Sequence, residues 1–474
     1  MIDTQSLRTK ILDLAMRGRL TEQLPEDGTA EELYQQIQEE KQALIKAGKI
    51  KKEKPLPEIT EGEKPFAIPE SWKWVRLGKV ITLVSGTDYK PEEYNDQNRG
   101  IPYITGASNL LPKGVLINRW TENPRCIANC GDVLLVCKGS GYGKVAICDI
   151  EVAHIARQIM AIKKTDSLVM KYILYYLMAN YDSLKSKGQG LIPGVDRQNV
   201  LNMQFPLPPL AEQQRVVERV QQTFSVLDTI DELQTKYADN LTVLKSKLID
   251  AAIQGKLTEQ LPEDGTAEEL YQQIQEEKQA LIRAGKIKKE KPLPEITEGE
   301  KPFEIPASWK WVSVGDVCIN IQYGSSKKSS ETGKIPVIRM GNIQDGKIVY
   351  DKLVYTSDDN EIAKYPLEKG DLLFNRTNSM ELVGKTGLYN GEQPAIYAGY
   401  LVRVTPLLLF PEYLNYCMQS KYYWDYCRMV RIDSNGQSNI NAEKLKRFLF
   451  PFPPLAEQQR IVARLDKALA MIES

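Results

Sequence analysis

The side chains best suited to chemistry sit in one glycine-rich stretch, Lys138-Gly-Ser-Gly-Tyr-Gly-Lys144, and in scattered groups of Arg, Lys, Asn and Gln. Glycines beside a lysine can cradle phosphates, but a P-loop needs Gly-Lys-Ser/Thr opening a helix, and Lys144 runs into Val-Ala-Ile-Cys, a strand-like run. A dinucleotide fingerprint likewise needs a helix next and an acidic ribose partner. The counterpart stretch, Asn375-Arg-Thr-Asn-Ser-Met-Glu-Leu-Val-Gly-Lys385, lacks the glycines yet keeps Gly-Asp-Leu-Leu before it and Gly-Lys at its end. A strand–loop–strand whose loop differs between otherwise similar segments suits a loop that reads a ligand. A plain hairpin turn is the other reading.

Arg, Lys, Asn and Gln are the side chains that read guanine and adenine through paired hydrogen bonds, and Ser or Tyr can serve phosphates. By residue type and placement, the candidate DNA contacts in the first variable segment are Arg119, Arg125, Lys138, Ser140, Tyr142, Lys144, Arg157, Gln158, Lys187, Gln189 and Arg197. In the second they are Tyr323, Lys327, Lys328, Arg339, Arg376, Asn378, Lys385, Arg431, Asn435 and Gln437. A solvated surface role competes with base contact for each residue singly, so the groups carry the argument.

Catalytic and metal patterns are missing. The Asn/Asp-Pro-Pro-aromatic tetrad of amino-methyltransferases has no match; residues 206–209 read Pro-Leu-Pro-Pro and 451–454 read Pro-Phe-Pro-Pro. There is no helicase box, nuclease carboxylate set, Ser/His/Asp constellation or HExxH. The seven cysteines are odd in number and irregularly spaced, against a disulfide framework. Cys126-x3-Cys130 is a weak zinc pattern, with no CxxC pair and His154 as the single histidine. No catalytic residue, cofactor or metal is expected.

The elements that must position the candidate loops are written twice. Residues 18–75 recur at 255–312 with four differences in 58 positions: Arg19/Lys256, Lys46/Arg283, Ala67/Glu304 and Glu70/Ala307. A second repeat, Pro-x-Pro-Pro-Leu-Ala-Glu-Gln-Gln-Arg at 206–215 and 451–460, is offset by 245 residues rather than 237, so the second variable segment is about eight residues longer. Near-identical frames suit two copies of one partner, and divergent segments suit two different targets. The unit that repeats is variable module, Pro-Pro-Leu-Ala-Glu-Gln-Gln helix, second helix, Leu-Thr-Glu-Gln-Leu segment and Trp-Lys-Trp entry. The chain begins and ends partway through it. A pseudo-twofold molecule with neighbouring termini follows, the C-terminal helix meeting the N-terminal one.

Apolar steps of three and four mark the helices. Leu210, Val217, Val220, Phe224, Leu227 and Leu233 form one stripe and Leu241, Leu244, Leu248, Ile249 and Ala252 another, before Gly255 as cap. The polar stretch Gln234–Asn240 between them is read as a reversal, giving a helical hairpin. Pro209, Leu210, Glu212, Gln213 and Gln214, with Pro454, Leu455, Glu457, Gln458 and Gln459, head the two long helices; an acid there suits the helix dipole and amides suit packing. They are read as fixing module to helix, and Trp72, Trp74, Trp309 and Trp311 as core anchors. Residues 29–47 and 266–284 read as short helices capped by Thr. Short β-type runs (101–105, 131–138, 144–150, 334–340, 370–376, 400–406) and helical stretches (170–180, 411–427) make each variable segment a compact α+β domain.

The 474 residues allow several domains, and 42% hydrophobic with 26% charged residues is ordinary for a water-soluble globular chain. No apolar run approaches the ~18–20 residues of a membrane span, and a cytoplasmic protein is expected. Net charge is zero, but Lys and Arg outnumber Asp and Glu by 18 to 12 over 64–205 and by 19 to 16 over 301–450, leaving the helical frame acidic. Basic modules on an acidic frame are compatible with nucleic acid.

The doubled Pro-Pro-Leu-Ala-Glu-Gln-Gln-Arg-(Val/Ile)-Val head resembles the specificity (S) subunit of Type I restriction–modification systems. Ile-Pro-x-Ser-Trp-Lys-Trp-Val, Gly-Asp-(Val/Leu)-Leu-Leu and Ala-Glu-Glu-Leu-Tyr-Gln-Gln-Ile agree, over nearly the whole chain. The resemblance implies an N-terminal conserved helical region (1–62), a target-recognition domain (63–205), a central conserved helical region (206–300), a second target-recognition domain (301–450) and a C-terminal conserved helix (451–474). It implies that each domain reads one half of a split site on double-stranded DNA. The conserved helices would form an antiparallel pair that spaces the domains and docks two methyltransferase (M) subunits, with restriction (R) subunits joining through that core and no catalysis by the chain itself. A two-headed protein-binding adaptor is the rival reading.

Overall fold

The computed structural model describes residues 1–111, 114–139, 141–180, 194–434 and 436–473. The chain divides into two compact units, Met1–Thr235 and Lys236–Ser474. Each has the same plan: a frame of helices and a mixed α+β module.

In the first unit the frame begins with helix Thr4–Met16, capped by Asp3, whose side chain accepts from the Ser6 N–H. It lies antiparallel to the start of a long helix, Leu210–Ile253. Thr4 bonds Asp231 at 2.6 Å, Arg8 reaches Asp228 at 2.7 Å, and Leu12, Ala15 and Met16 share a core with Val216, Val217 and Val220. In the second unit the end of the long helix takes the first role: Ile249, Ala252 and Ile253 share a core with Ile461, Val462 and Leu465 of helix Leu455–Glu473. The repeat can therefore be phased so that each unit closes on its own residues.

One expectation is corrected. Gln234–Asn240 does not reverse the chain: the helix is continuous from Leu210 to Ile253, which at 1.5 Å per residue is roughly 66 Å. The stretch is polar but holds neither Gly nor Pro, and polarity alone changes which faces meet water, not the backbone. The helix stops where foreseen, with Gly255 at φ +70° and its N–H on the Ala252 carbonyl.

After each first helix the chain makes the repeated short helix, Ala30–Lys46 or Ala267–Arg283. Thr29 and Thr266 cap these by bonding the Glu32 and Glu269 N–H groups, and each glutamate returns a bond to its threonine N–H. The proline-punctuated connector then leads to an entry strand that pairs antiparallel with the exit strand of the module: Lys73–Arg76 with Gln204–Leu207, and Lys310–Ser313 with Leu449–Phe452. Chain entry and exit are thus tied side by side on the frame.

Inside the first module an antiparallel sheet runs Leu83–Ser85, Ile159–Ile162, Val133–Val136, Val145–Ile147, beside a mixed sheet of Trp120–Thr121, Ile101–Ile104, Val152–Ile155 and Ile127–Asn129. Val133–Val136 is buried at every position, so both faces of its sheet are covered. The second module repeats this with Cys318–Tyr323, Leu401–Pro406, Leu372–Asn375 and Thr386–Leu388 in a larger sheet, and adds a small sheet of Thr377–Asn378, Gln437–Asn439 and Ile432–Ser434. The stretch 411–427 is two helices, Pro411–Cys417 and Lys421–Val430, because Ser420 caps the second through the Tyr423 N–H.

No helix among the described residues is long and apolar enough to cross a membrane. Nor do three or more His, Cys, Asp or Glu come together among them in a way that could hold a metal ion.

Candidate nucleic-acid interface

Each module is held by a buried polar latch at the head of its long helix. Glu212 is 1% exposed and accepts from the Trp72 indole at 2.7 Å, Gln23 at 2.7 Å and Thr21 at 3.2 Å. Glu457 repeats this with Trp309 at 2.8 Å, Gln260 at 2.9 Å and Thr258 at 2.9 Å. Gln213 and Gln458 are fully buried. Each accepts from a module backbone N–H, Val169 at 3.0 Å and Phe410 at 2.9 Å, and donates to a proline carbonyl of its own entry, Pro208 and Pro453. The prolines at 209 and 454 are buried, while Leu210 is half-buried and Leu455, Gln214 and Gln459 are exposed. Arg215 and Arg460 clamp Asp27 and Asp264, each through both carboxylate oxygens. The two anchored modules present their loops from equivalent frames.

In the first module the glycine stretch is a turn between antiparallel strands Val133–Val136 and Val145–Ile147, and no helix follows. Lys144 donates to the Ala107 carbonyl at 3.1 Å, and a Cβ on Gly141 would stand 2.3 Å from that of Ala107. The loop therefore lies across the turn Ala107–Asn109. Asn109 holds that turn, its side-chain oxygen accepting from the N–H groups of Thr105 and Gly106. Gln158 is exposed next to it, its carbonyl accepting from the Cys137 N–H at 2.7 Å. Lys138 is exposed at the start of the loop and Tyr142 is half-buried against the core. Lys138, Lys144 and Gln158 thus converge on one end of the module. Ser140, Lys187 and Gln189 lie outside the described residues.

Other first-module candidates are already occupied. Arg125 pairs with Glu93 and lies over the Tyr89 ring, Arg157 pairs with Asp88 at 3.3 Å, and Arg119 lies 4.9 Å from the Tyr94 ring. Arg197 bonds the Leu83 carbonyl at 2.7 Å and pairs with Glu53 of the connector, which makes it a strut between connector and module. His154 is a buried bracket: its Nδ1 accepts from Cys126 N–H at 3.1 Å, its Nε2 donates to the Thr87 carbonyl at 2.8 Å, and burial lowers its pKa.

In the second module Tyr323, Arg376, Asn378, Gln437 and Arg431 fall together. Arg376 lies over the Tyr323 ring at 4.6 Å, Asn378 is in a strand paired with Gln437–Asn439, and Arg431 donates to the Met380 carbonyl at 3.2 Å. Lys385 is half-buried at the loop's end. Lys327 pairs with Asp358 and Glu361, Lys328 is exposed, and Arg339 is bent back to the Lys352 carbonyl at 2.9 Å. Asn435 lies outside the described residues. Asn342, which the sequence reading does not single out, fixes the turn Met340–Asn342 that follows Arg339 as Asn109 does in the first module, bonding Arg339 N–H, Val349 O and Asp351 O. Its signal was available: Asn followed after a few residues by Gly in both modules.

Comparison with known proteins agrees with this duplicated plan. The family model described as Type I restriction modification DNA specificity domain matches residues 69–237 and 306–474. The Type I restriction enzyme EcoAI specificity subunit of Escherichia coli is 28% identical over 541 aligned positions, covering 98% of this chain and 89% of the relative. The EcoEI specificity subunit of Escherichia coli is also 28% identical, covering 98% and 88%. A chain of the solved structure reported as the basis of complex assembly and conformational transition of the type I R-M system shares the fold. It has a TM-score of 0.59 at 20% identity, over 86% of this chain and 93% of that one.

Proposed function

The chain belongs to the Type I restriction modification DNA specificity family, and from that premise we propose that it reads a bipartite site on double-stranded DNA, one half per module, for a restriction–modification complex in the cytoplasm. On this reading it supplies no catalysis. Its helical frames dock two methyltransferase subunits, and restriction subunits join through that core.

The observation that carries the proposal is the contrast between latch and loops. Glu212 and Glu457 collect the same three donors in both units, whereas beyond the matching strands one module holds glycines and lysines and the other Arg376 and Asn378, with Gln437 in the strand paired beside them. A conserved mount with two unlike heads suits one kind of partner held twice and two base sequences read separately. Phosphate contacts from the basic modules would hold register and make binding salt-dependent.

The direct test exchanges residues 76–205 for the module of another family member and maps methylated sites across a genome. One half-site is expected to change and the other to stay. A change in both halves, or in neither, defeats the proposal. The adaptor reading is tested by DNA retention across salt with and without the methyltransferase subunit; no retention in either case, even at low salt, would favour it.

A further inference from the structure

We propose that Arg376 is the guanine-reading residue of the second module and that Tyr323 positions it, an assignment that rests on the DNA-reading function above. Arg376 follows directly on strand Leu372–Asn375 and its backbone is tied on both sides: its N–H donates to the Tyr400 carbonyl at 3.1 Å and its carbonyl accepts from Ile440 N–H at 2.9 Å. Its guanidinium carbon stands 4.6 Å from the centre of the Tyr323 ring. That ring is itself fixed, since the Tyr323 hydroxyl accepts from Ala442 N–H at 3.1 Å and its backbone is paired with Val402.

Apart from that ring, the guanidinium finds no acceptor for its buried Nε among the described residues, and no carboxylate there pairs with it. The neighbouring cations differ: Arg431 faces Asp433, and Lys327 faces Asp358 and Glu361. A half-buried cation lacking an acceptor is unfavourable unless a ligand provides one. With Nε turned inward, the terminal Nη1/Nη2 edge is the one left to meet that ligand. Guanine offers two adjacent acceptors, O6 and N7, matched to a planar fork in the major groove. A mobile lysine suffices for a phosphate; a clamped planar group tests geometry.

The first module sharpens the assignment. Gly86 N–H bonds the Ile159 carbonyl as Gly324 N–H bonds Leu401, which aligns Ser85 with Tyr323. Val195 N–H bonds the Cys137 carbonyl as Ile440 N–H bonds Arg376, which aligns Cys137 with Arg376. Where the second module carries a stacked guanidinium, the first carries a small hydroxyl and a buried thiol. The backbone there is the same and the chemistry is not, as two readers of different sequence require.

The test uses the full chain with its methyltransferase subunit and selects bound duplexes from a pool randomised across both half-sites. The unaltered chain is expected to require guanine at one position of one half-site. R376A and R376Q are expected to lose that preference by roughly ten- to hundred-fold at that position alone, with the other half-site unchanged and the same melting temperature. Y323L is expected to relax the same position, and Y323F, which keeps the ring, to restore most of it. Uniform weakening over all sequences with a shallower salt dependence would make Arg376 a phosphate contact and overturn the proposal, as would an unchanged preference. Absence of any sequence preference in the unaltered chain would instead remove the DNA-reading function itself, and this assignment with it.

Discussion

Glu212 and Trp72 are joined across 140 positions by a hydrogen bond of 2.7 Å from the indole Nε1 to the carboxylate, both groups buried. Glu457 and Trp309 repeat it at 2.8 Å across 148 positions. Removing the buried carboxylate leaves the indole N–H unsatisfied and takes one acceptor from Gln23, which keeps the Gly18 and Thr21 carbonyls, and bonds to charged groups contribute about 1.5–3 kcal/mol each. E212A is therefore expected to destabilise the first unit by about 3 kcal/mol and E457A the second by a similar amount, followed as thermal unfolding and protease sensitivity. Trp72→Phe, losing one donor but keeping a smaller aromatic ring, should cost less. Unequal effects at 212 and 457 would mean that the two frames are not energetic copies.

The ion pairs beside the latch give an acid dependence. Hydrogen bonds from Arg215 and Arg460 hold the Asp27 and Asp264 carboxyls below their ordinary value of 3.8. A folded-state value below the unfolded one means that the unfolded chain binds more protons through this range. The stabilisation is then complete above about pH 4 and is lost as pH falls through the folded value. Asp27→Asn should lower stability by about 2 kcal/mol at neutral pH and by less at pH 3, below the ordinary value of 3.8. Urea midpoints at the two pH values check this; an equal deficit at both would show that the pair acts through packing, not charge.

Much of this architecture was legible in the residues, and its gaps have physical causes. Leu210, Val217, Val220 and Leu227 marked a helix because burial on one face has a period, and Thr29 with Glu32 marked a helix start because a capping box is local. Gln234–Asn240 reads as a turn yet is helical, because exposure and chain reversal both select polar residues and only Gly or Pro separates them. The site was less legible. Arg125 and Arg157 look like Arg376 in sequence, but their neutralising partners, Glu93 and Asp88, lie 32 and 69 positions away and only the fold brings them close. A longer separation, 140 positions, hid Trp72 from Glu212.

The uninterrupted helix changes what a length variant should do. Seven residues inserted near Tyr237 add two turns, about 10 Å at 1.5 Å per residue, or about three base pairs at ~3.4 Å each. On the proposed function the number of unread base pairs between half-sites changes while the bases read at each half stay the same. Sequencing methylated sites in cells carrying the insertion measures both quantities at once. New half-site bases with an unaltered gap would show that the helix sets recognition and not spacing.

The outer face of that helix carries the last prediction. Val226, Leu233, Tyr237 and Leu244 are 59%, 60%, 60% and 44% exposed, and their steps of seven, four and seven place them on one stripe, the spacing of a seam between packed helices. An isolated helix does not gain from four large apolar side chains in water, whereas a partner helix would bury them at about 1.5–3 kcal/mol each. This stripe is the surface on which the proposed methyltransferase docking should depend. L233K with Y237K is expected to abolish co-purification of the methyltransferase subunit while leaving the melting temperature within about a degree, because neither side chain is buried in the chain alone. Undiminished co-purification would move the docking surface to the near-identical segments 18–75 and 255–312, where scanning Glu31, Gln35 and their copies Glu268 and Gln272 would follow.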